Sequence, residues 1–283
     1  MNRVHNPGKD FSQQKHLADK IFYRIWVNAA APKAILLIIH GLGEHSGRYC
    51  SAAEFFCSQG LAVACLDHRG HGLSPGKRGH IDSFSDYIKP VIKLRDQIAM
   101  DYPGVPCFIL GHSMGGLIAA IYLTVYQEHF SGAIFSGAAL QLVENPSKLL
   151  RSVVNILSRI FPTVGLMRIN GENVSRDPEV VAEYLEDPLV HHGAYSARLI
   201  RELLEAIKEL GEKVQEISLP ALIMHGESDF LTSPAGSQDF VEKISSRDKK
   251  LRMLTGLYHE ILNEPEGEEI MGEVMLWINK RIQ

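Results

Sequence analysis

The chain has 283 residues, 45% of them hydrophobic, and its interspersed acids and bases leave a net charge of -4. That length suits one large α/β domain with an insertion, or two small domains, and the apolar share is enough for a sizeable core. No basic run with interleaved aromatics argues for nucleic acid as a partner, and no apolar stretch approaches the roughly 18 residues of a membrane-spanning helix.

Residues 1–14 are polar and lack an apolar h-region, so no signal peptide is expected. Residues 1–18 carry little beyond a possible edge strand, whereas 20–27 are rich in aromatic and β-branched residues and predict a strand. Residues 34–39 form a continuous apolar run, the pattern of a strand buried on both faces of a parallel sheet. A helix over 49–58, a second buried strand over 61–66 and a glycine-rich loop over 67–74 follow. A long helix over 84–100 stops at Pro103-Gly104. Next come a strand ending at Gly111, a helix over 115–128 and a strand over 132–135. From about Leu140 to Gly211 only helical pattern and loops appear, with no apolar strand run. The rhythm resumes with a strand over 219–226, a helix over 234–245, a strand over 251–254 and a helix over 266–281. Such alternation implies crossovers and a mostly parallel central sheet flanked by helices. Residues 140–211 are then a helical cap inserted between two parts of one core, 1–139 and 212–283. Within it Leu149, Leu150, Val153, Val154, Leu157, Ile160 and Phe161 make an apolar stripe, predicting a cap helix packed on the core. Cys50, Cys57, Cys65 and Cys107 form no C-x-x-C pair, so free thiols in a reducing compartment, and a cytoplasmic protein, are expected.

The chemistry centres on Gly111-His112-Ser113-Met114-Gly115, a G-x-S-x-G turn between a buried strand and a small-residue-rich helix. A strand turning straight into a helix strains the middle residue and lifts its hydroxyl out of the sheet, and side chains at 111 and 115 would collide. An activated serine needs a histidine base and a buried acid to orient it, each in a loop after a later strand. His259 and Asp229 meet that order and setting, with Glu227 as the rival acid. The bland alternative makes Asp229 a helix N-cap and His259 a surface residue. Oxyanion donors would be the N–H of Met114, directly after the nucleophile, and that of Leu42, in the loop after the first buried strand. His40, His68, His71 and His112 are expected to be structural, and no Cys/His cluster supports a metal on His68 and His71.

His40-Gly41-x-Gly43-Glu44-His45-Ser46-Gly47-Arg48-Tyr49, Asp67-His68-x-Gly70-His71-Gly72-x-Ser74, Gly111-His112-Ser113-Met114-Gly115-Gly116 and Tyr258-His259 together resemble the monoacylglycerol lipase family, serine hydrolases of the α/β-hydrolase fold. Ser175-Arg176-Asp177-Pro178 and Tyr184-Leu185-Glu186-Asp187-Pro188-Leu189 carry the resemblance into the insertion. It implies a Ser113, Asp229, His259 triad, oxyanion donors at Leu42 and Met114, and Glu44, Arg48 and Tyr184 near the glycerol end of the pocket. Glu44 and Arg48 also stand at the spacing of a local helical ion pair. The resemblance further implies a cap that roofs an acyl-chain tunnel and touches lipid surfaces, where Arg151 and Arg159 would meet headgroups. Cysteines that mammalian members carry near the site are His191 and Thr232 here, so thiol sensitivity does not transfer. The implied reaction is hydrolysis of monoacylglycerols or similar single-chain lipid esters through an acyl-enzyme, with no cofactor, metal or nucleic acid. A lysophospholipase or general carboxylesterase is the alternative. A serine at the elbow excludes the aspartate-dependent dehalogenases and epoxide hydrolases of this fold, and a complete triad argues against a non-catalytic binding protein.

Overall fold

The structure, a computed structural model, describes residues 12–28, 31–141 and 147–282. The reading of residues 1–14 as free of a signal peptide falls almost wholly outside them. In chain order the strands are β1 (Gln13–His16), β2 (Phe22–Val27), β3 (Ala34–Ile39), β4 (Leu61–Leu66), β5 (Cys107–His112), β6 (Gly132–Ser136), β7 (Gly165–Met167), β8 (Tyr195–Ser196), β9 (Ala221–Gly226) and β10 (Lys249–Leu254). The helices are α1 (Cys50–Ser58), α2 (Ser85–Asp101), α3 (Met114–Tyr126), α4 (Lys148–Ile160), α5 (Pro178–Glu186), α6 (Ala197–Lys213), α7 (Pro234–Lys243) and α8 (Gly267–Asn279).

The main sheet has the order β1-β2-β4-β3-β5-β6-β9-β10. β1 and β2 enter antiparallel, and every pairing from β4 through β10 is parallel. This is the α/β-hydrolase arrangement. The uninterrupted apolar runs of β3 and β4 are buried throughout, because helices cover both faces of a parallel sheet. Strand alternation divides the core into two layers. Ile35, Leu37 and Ile39 share one with Val91, Leu94 and Leu117 of α2 and α3. Leu36 and Ile38 face Phe56, Val274 and Trp277 of α1 and α8.

Between β6 and β9 the chain leaves this sheet for α4, β7, α5, β8 and α6. Two sequence expectations change here. A two-stranded antiparallel ribbon, β7 with β8, stands where only helix and loop were predicted. Strands of three and two residues are too short to show a periodicity, and their pairing comes from each other rather than from a pattern. The apolar stripe does form a helix, α4, but it is not packed on the core. Val154 is buried, while Leu149, Leu150, Val153, Ile160 and Phe161 are exposed, Leu149 to 75%. No helix among the described residues is long and apolar enough to cross a membrane.

Because β3, β5, β6, β9 and β10 run parallel, the loops leaving their C-terminal ends gather on one edge of the sheet. That edge is where ligands bind in open α/β sheets.

Candidate active site

The elbow is as tight as its glycines require. Ser113 takes φ 53 and ψ -122 between β5 and α3, the left-handed region that a side chain seldom occupies. Its N–H donates to Ser136 O at 3.0 Å, and its carbonyl accepts from Gly116 N and Ala139 N, both at 2.9 Å. The turn is thus over-determined by neighbours, the condition for holding a strained residue. A Cβ on Gly111 would meet Gly115 O at 2.6 Å, and one on Gly115 would run into the Ile39 and His40 carbonyl oxygens. Ser113 is half-buried while His112 and Met114 on either side are buried. Met114 opens α3, so its N–H has no partner within the helix and sits at the positive end of the dipole. Leu42 lines the same cavity as Ser113. The neighbouring Gly41 amide is already taken, donating to Glu44 Oε1 at 2.6 Å.

Asp229 follows β9 and His259 follows β10, and the two meet. His259 Nδ1 donates to Asp229 Oδ2 at 2.7 Å. The other carboxylate oxygen, Oδ1, accepts from Leu231 N at 2.7 Å and Thr232 N at 3.0 Å, so Asp229 caps its turn and faces the histidine at once. Burial opposes the charge on Asp229, but His259, His225 and the Thr232 amide outweigh it and hold the carboxyl well below the usual carboxylate range. Burial likewise opposes an imidazolium at His259, and the Asp229 charge overcomes it, so the pKa of His259 is raised. Glu227, the rival acid, is exposed.

Sequence reasoning missed His225. Fully buried on β9, its Nε2 lies 3.1 Å from Asp229 Oδ2 and its Nδ1 is 2.7 Å from Ser237 Oγ. The signal was its position four residues before Asp229. Thr232 Oγ1 is 2.8 Å from Asp229 Oδ2 and 2.9 Å from Gly137 O. His191 lies farther off, edge-on to Tyr195 at 5.1 Å between ring centroids.

Glu44, Arg48 and Tyr184 also come together, around a residue that sequence reasoning missed. Arg48 grips Glu260 with Nη1 on Oε1 at 2.5 Å and Nη2 on Oε2 at 2.9 Å. It reaches Glu44 Oε2 only at 3.4 Å, so the local helical pair is the weaker one. Its guanidinium lies over the Tyr184 ring, 4.8 Å from the centroid. Glu44 Oε1 also accepts from Tyr49 OH at 2.8 Å, and burial pushes the pKa of that hydroxyl up, keeping it a donor. Burial works against the charge on Glu260, but Arg48 outweighs it and keeps the group ionised. Glu260 directly follows His259 in sequence, but its partner is 212 residues away.

His40, His68 and His71 are structural, as expected. Their rings cluster with Tyr87, His40 to His68 at 4.2 Å. His40 Nε2 accepts from His68 N at 3.0 Å, and burial lowers the pKa of His40 to about 4 and that of His71 to about 3, leaving both neutral. His112 lies 3.0 Å by Nδ1 from Ser136 O, bracing β5 beside the elbow.

A cavity of about 380 Å³ joins these parts. Ser113, His259, Leu42 and Met114 line it together, with Glu44, Tyr184 and Glu260 polar and Leu117, Met167, Ile169, Leu203, Ile207 and Leu231 apolar. A largely apolar cleft with a few convergent polar groups suits a small amphipathic ligand.

Residues 30–266 match the family model described as serine aminopeptidase, S33. The chain is 38% identical to a monoacylglycerol lipase of Mycolicibacterium smegmatis over 92% of both chains. It is 33% identical to the monoglyceride lipase of Rattus norvegicus, covering 93% of this chain and 88% of the relative. Among solved structures, the monoacylglycerol lipase of Paleococcus ferrophilus superposes with a TM-score of 0.83 at 30% identity, over 92% of this chain and 99% of that one.

Proposed function

The chain belongs to the serine aminopeptidase S33 family and is a carboxylic ester hydrolase of the monoacylglycerol lipase kind, and from that premise we propose that Ser113, Asp229 and His259 do its chemistry. The observation that carries this is the 2.7 Å contact of buried His259 and Asp229 in the cavity that the strained Ser113 also lines. Ser113 Oγ attacks the ester carbonyl as His259 Nε2 accepts its proton, and Asp229 fixes the tautomer that leaves Nε2 free. The oxyanion is held by the amides of Leu42 and Met114. His259 passes the proton to the leaving alcohol, and water repeats the sequence on the acyl-enzyme, releasing fatty acid and regenerating Ser113.

Glu44 and Tyr184 form the glycerol end, with Arg48 holding them through its ion pair to Glu44 and its place over the Tyr184 ring, and the apolar lining from α6 and the β7 segment takes the acyl chain. Residues 140–211 act as the cap, and the outward apolar face of α4 makes transient contact with lipid surfaces. The four free cysteines accord with a cytoplasmic protein. A fluorophosphonate probe tests the assignment, because it labels only an activated serine. Wild type should be labelled and Ser113→Ala should not, and hydrolysis of monoacylglycerol should vanish with the label. Full labelling of the variant would overturn the nucleophile, and labelling without ester turnover would overturn the activity.

A further inference from the structure

The acids at the polar end of the cavity outnumber the bases that serve them. Glu44 and Glu260 both line the cavity, whereas Arg48, which pairs with both, is not among its lining residues and lies behind them under the Tyr184 ring. The rest of each carboxylate is met by neutral donors: Gly41 N and Tyr49 OH on Glu44, Asn263 Nδ2 at 2.8 Å on Glu260. The arginine that does line the cavity, Arg168, is itself exposed, beside Met167. It is Asp229, not Glu260, that contacts the His259 ring. Arg48 thus offers one positive charge to two carboxylates.

We propose that Glu260 determines specificity: with Glu44 it leaves one uncompensated negative charge at the alcohol end, which rejects single-chain esters whose alcohol carries an anionic group and favours an uncharged polyol. The inference rests on that end receiving the leaving alcohol. Like charges brought together out of water repel strongly, and a phosphate monoester carries about -1.5 to -2 at neutral pH. Selection of this kind works by a built-in repulsion rather than by a better contact.

The test compares kcat/KM for 1-octanoyl glycerol and its 3-phosphate, both below their micellar concentrations, with p-nitrophenyl octanoate as a reference ester. Wild type should prefer the neutral glycerol ester by about a hundredfold, and Glu260→Gln, which keeps the shape and one of the two accepting oxygens, should narrow that ratio about tenfold. An unchanged ratio in a variant that still cleaves the reference ester would overturn the proposal. Should Glu260→Gln fail to fold, wild type decides alone. Non-hydrolysable 1-O-octyl glycerol should inhibit reference-ester cleavage at a concentration at least about tenfold lower than its 3-phosphate, and equal inhibition would overturn the proposal. Wild type that cleaves the reference ester but neither glycerol ester would remove the alcohol-site reading as well, whereas equal cleavage of both glycerol esters would remove only the charge filter.

Discussion

In the sheet, Ser113 is held from several sides; in the cap, among the described residues, the apolar face of α4 is left largely uncovered. Ser113 is fixed through its own N–H and carbonyl to Ser136, Gly116 and Ala139, at the end of β5, whose neighbours β3 and β6 are buried along their length. α4 buries Val154 and leaves Leu149, Leu150 and Ile160 more than half exposed. The cap's own core is small, with Val174, Tyr184 and Val190 at its centre. The chemistry needs a fixed distance between nucleophile and base, so it sits where packing leaves no alternative. The part with the least buried area is the part that opens at the lowest cost. An exposed apolar face of that size marks a surface that meets something apolar.

The largest effects are expected on the sheet side. Ser113→Ala should keep the fold and cost on the order of 10⁴–10⁶ in kcat, so steady-state turnover within tenfold of wild type would break the assignment. Asp229→Asn should cost on the order of 10⁴ by leaving His259 in the wrong tautomer. Exposed Glu227→Gln should be mild, and a reversal of the two in the same assay would place the acid elsewhere.

Two glycines put the contrast in terms of stability. A methyl on Gly115 meets the Ile39 and His40 carbonyls, while nothing lies within 4 Å of a methyl on Gly211 in α6. Gly115→Ala should lose about 3 kcal/mol and Gly211→Ala should gain about 0.5–1 kcal/mol. Denaturant unfolding of both variants measures this, and equal shifts would erase the distinction.

Tyr184 is the point where the cap reaches the site. Tyr184→Phe should lower kcat/KM for monoacylglycerol by about 1–2 kcal/mol of transition-state binding. A p-nitrophenyl ester of the same chain length should be little affected, whereas equal losses on both would make Tyr184 a packing residue of the cap. The smallest expected effect is in the pH profile. His259 must be neutral to accept the Ser113 proton, and its raised pKa means protonation begins at higher pH than for a free histidine. The acid limb of kcat/KM should therefore have its midpoint above about 6.5, and a midpoint near 5 would contradict the Asp229 contact.

Much of this was legible without a structure. The runs that became β3 and β4, the elbow, and Asp229 and His259 each just past a later strand are local signals, because burial on both faces and a strained turn leave their marks on adjacent residues. Periodicity also placed α4, but it could say only that one face was apolar and not that this face would remain uncovered. The ribbon of β7 and β8 left no pattern, since so short a pairing draws its order from the partner strand. Nor could sequence spacing join Arg48 to Glu260 across 212 residues, or bring His225 onto the acid that holds His259. The sequence by itself determined which segments are buried and where the sheet turns, because those follow from neighbours along the chain. Which distant charges share one cation, and so what charge lines the cavity, only the tertiary structure decided, because packing alone sets which loops meet at the sheet's edge.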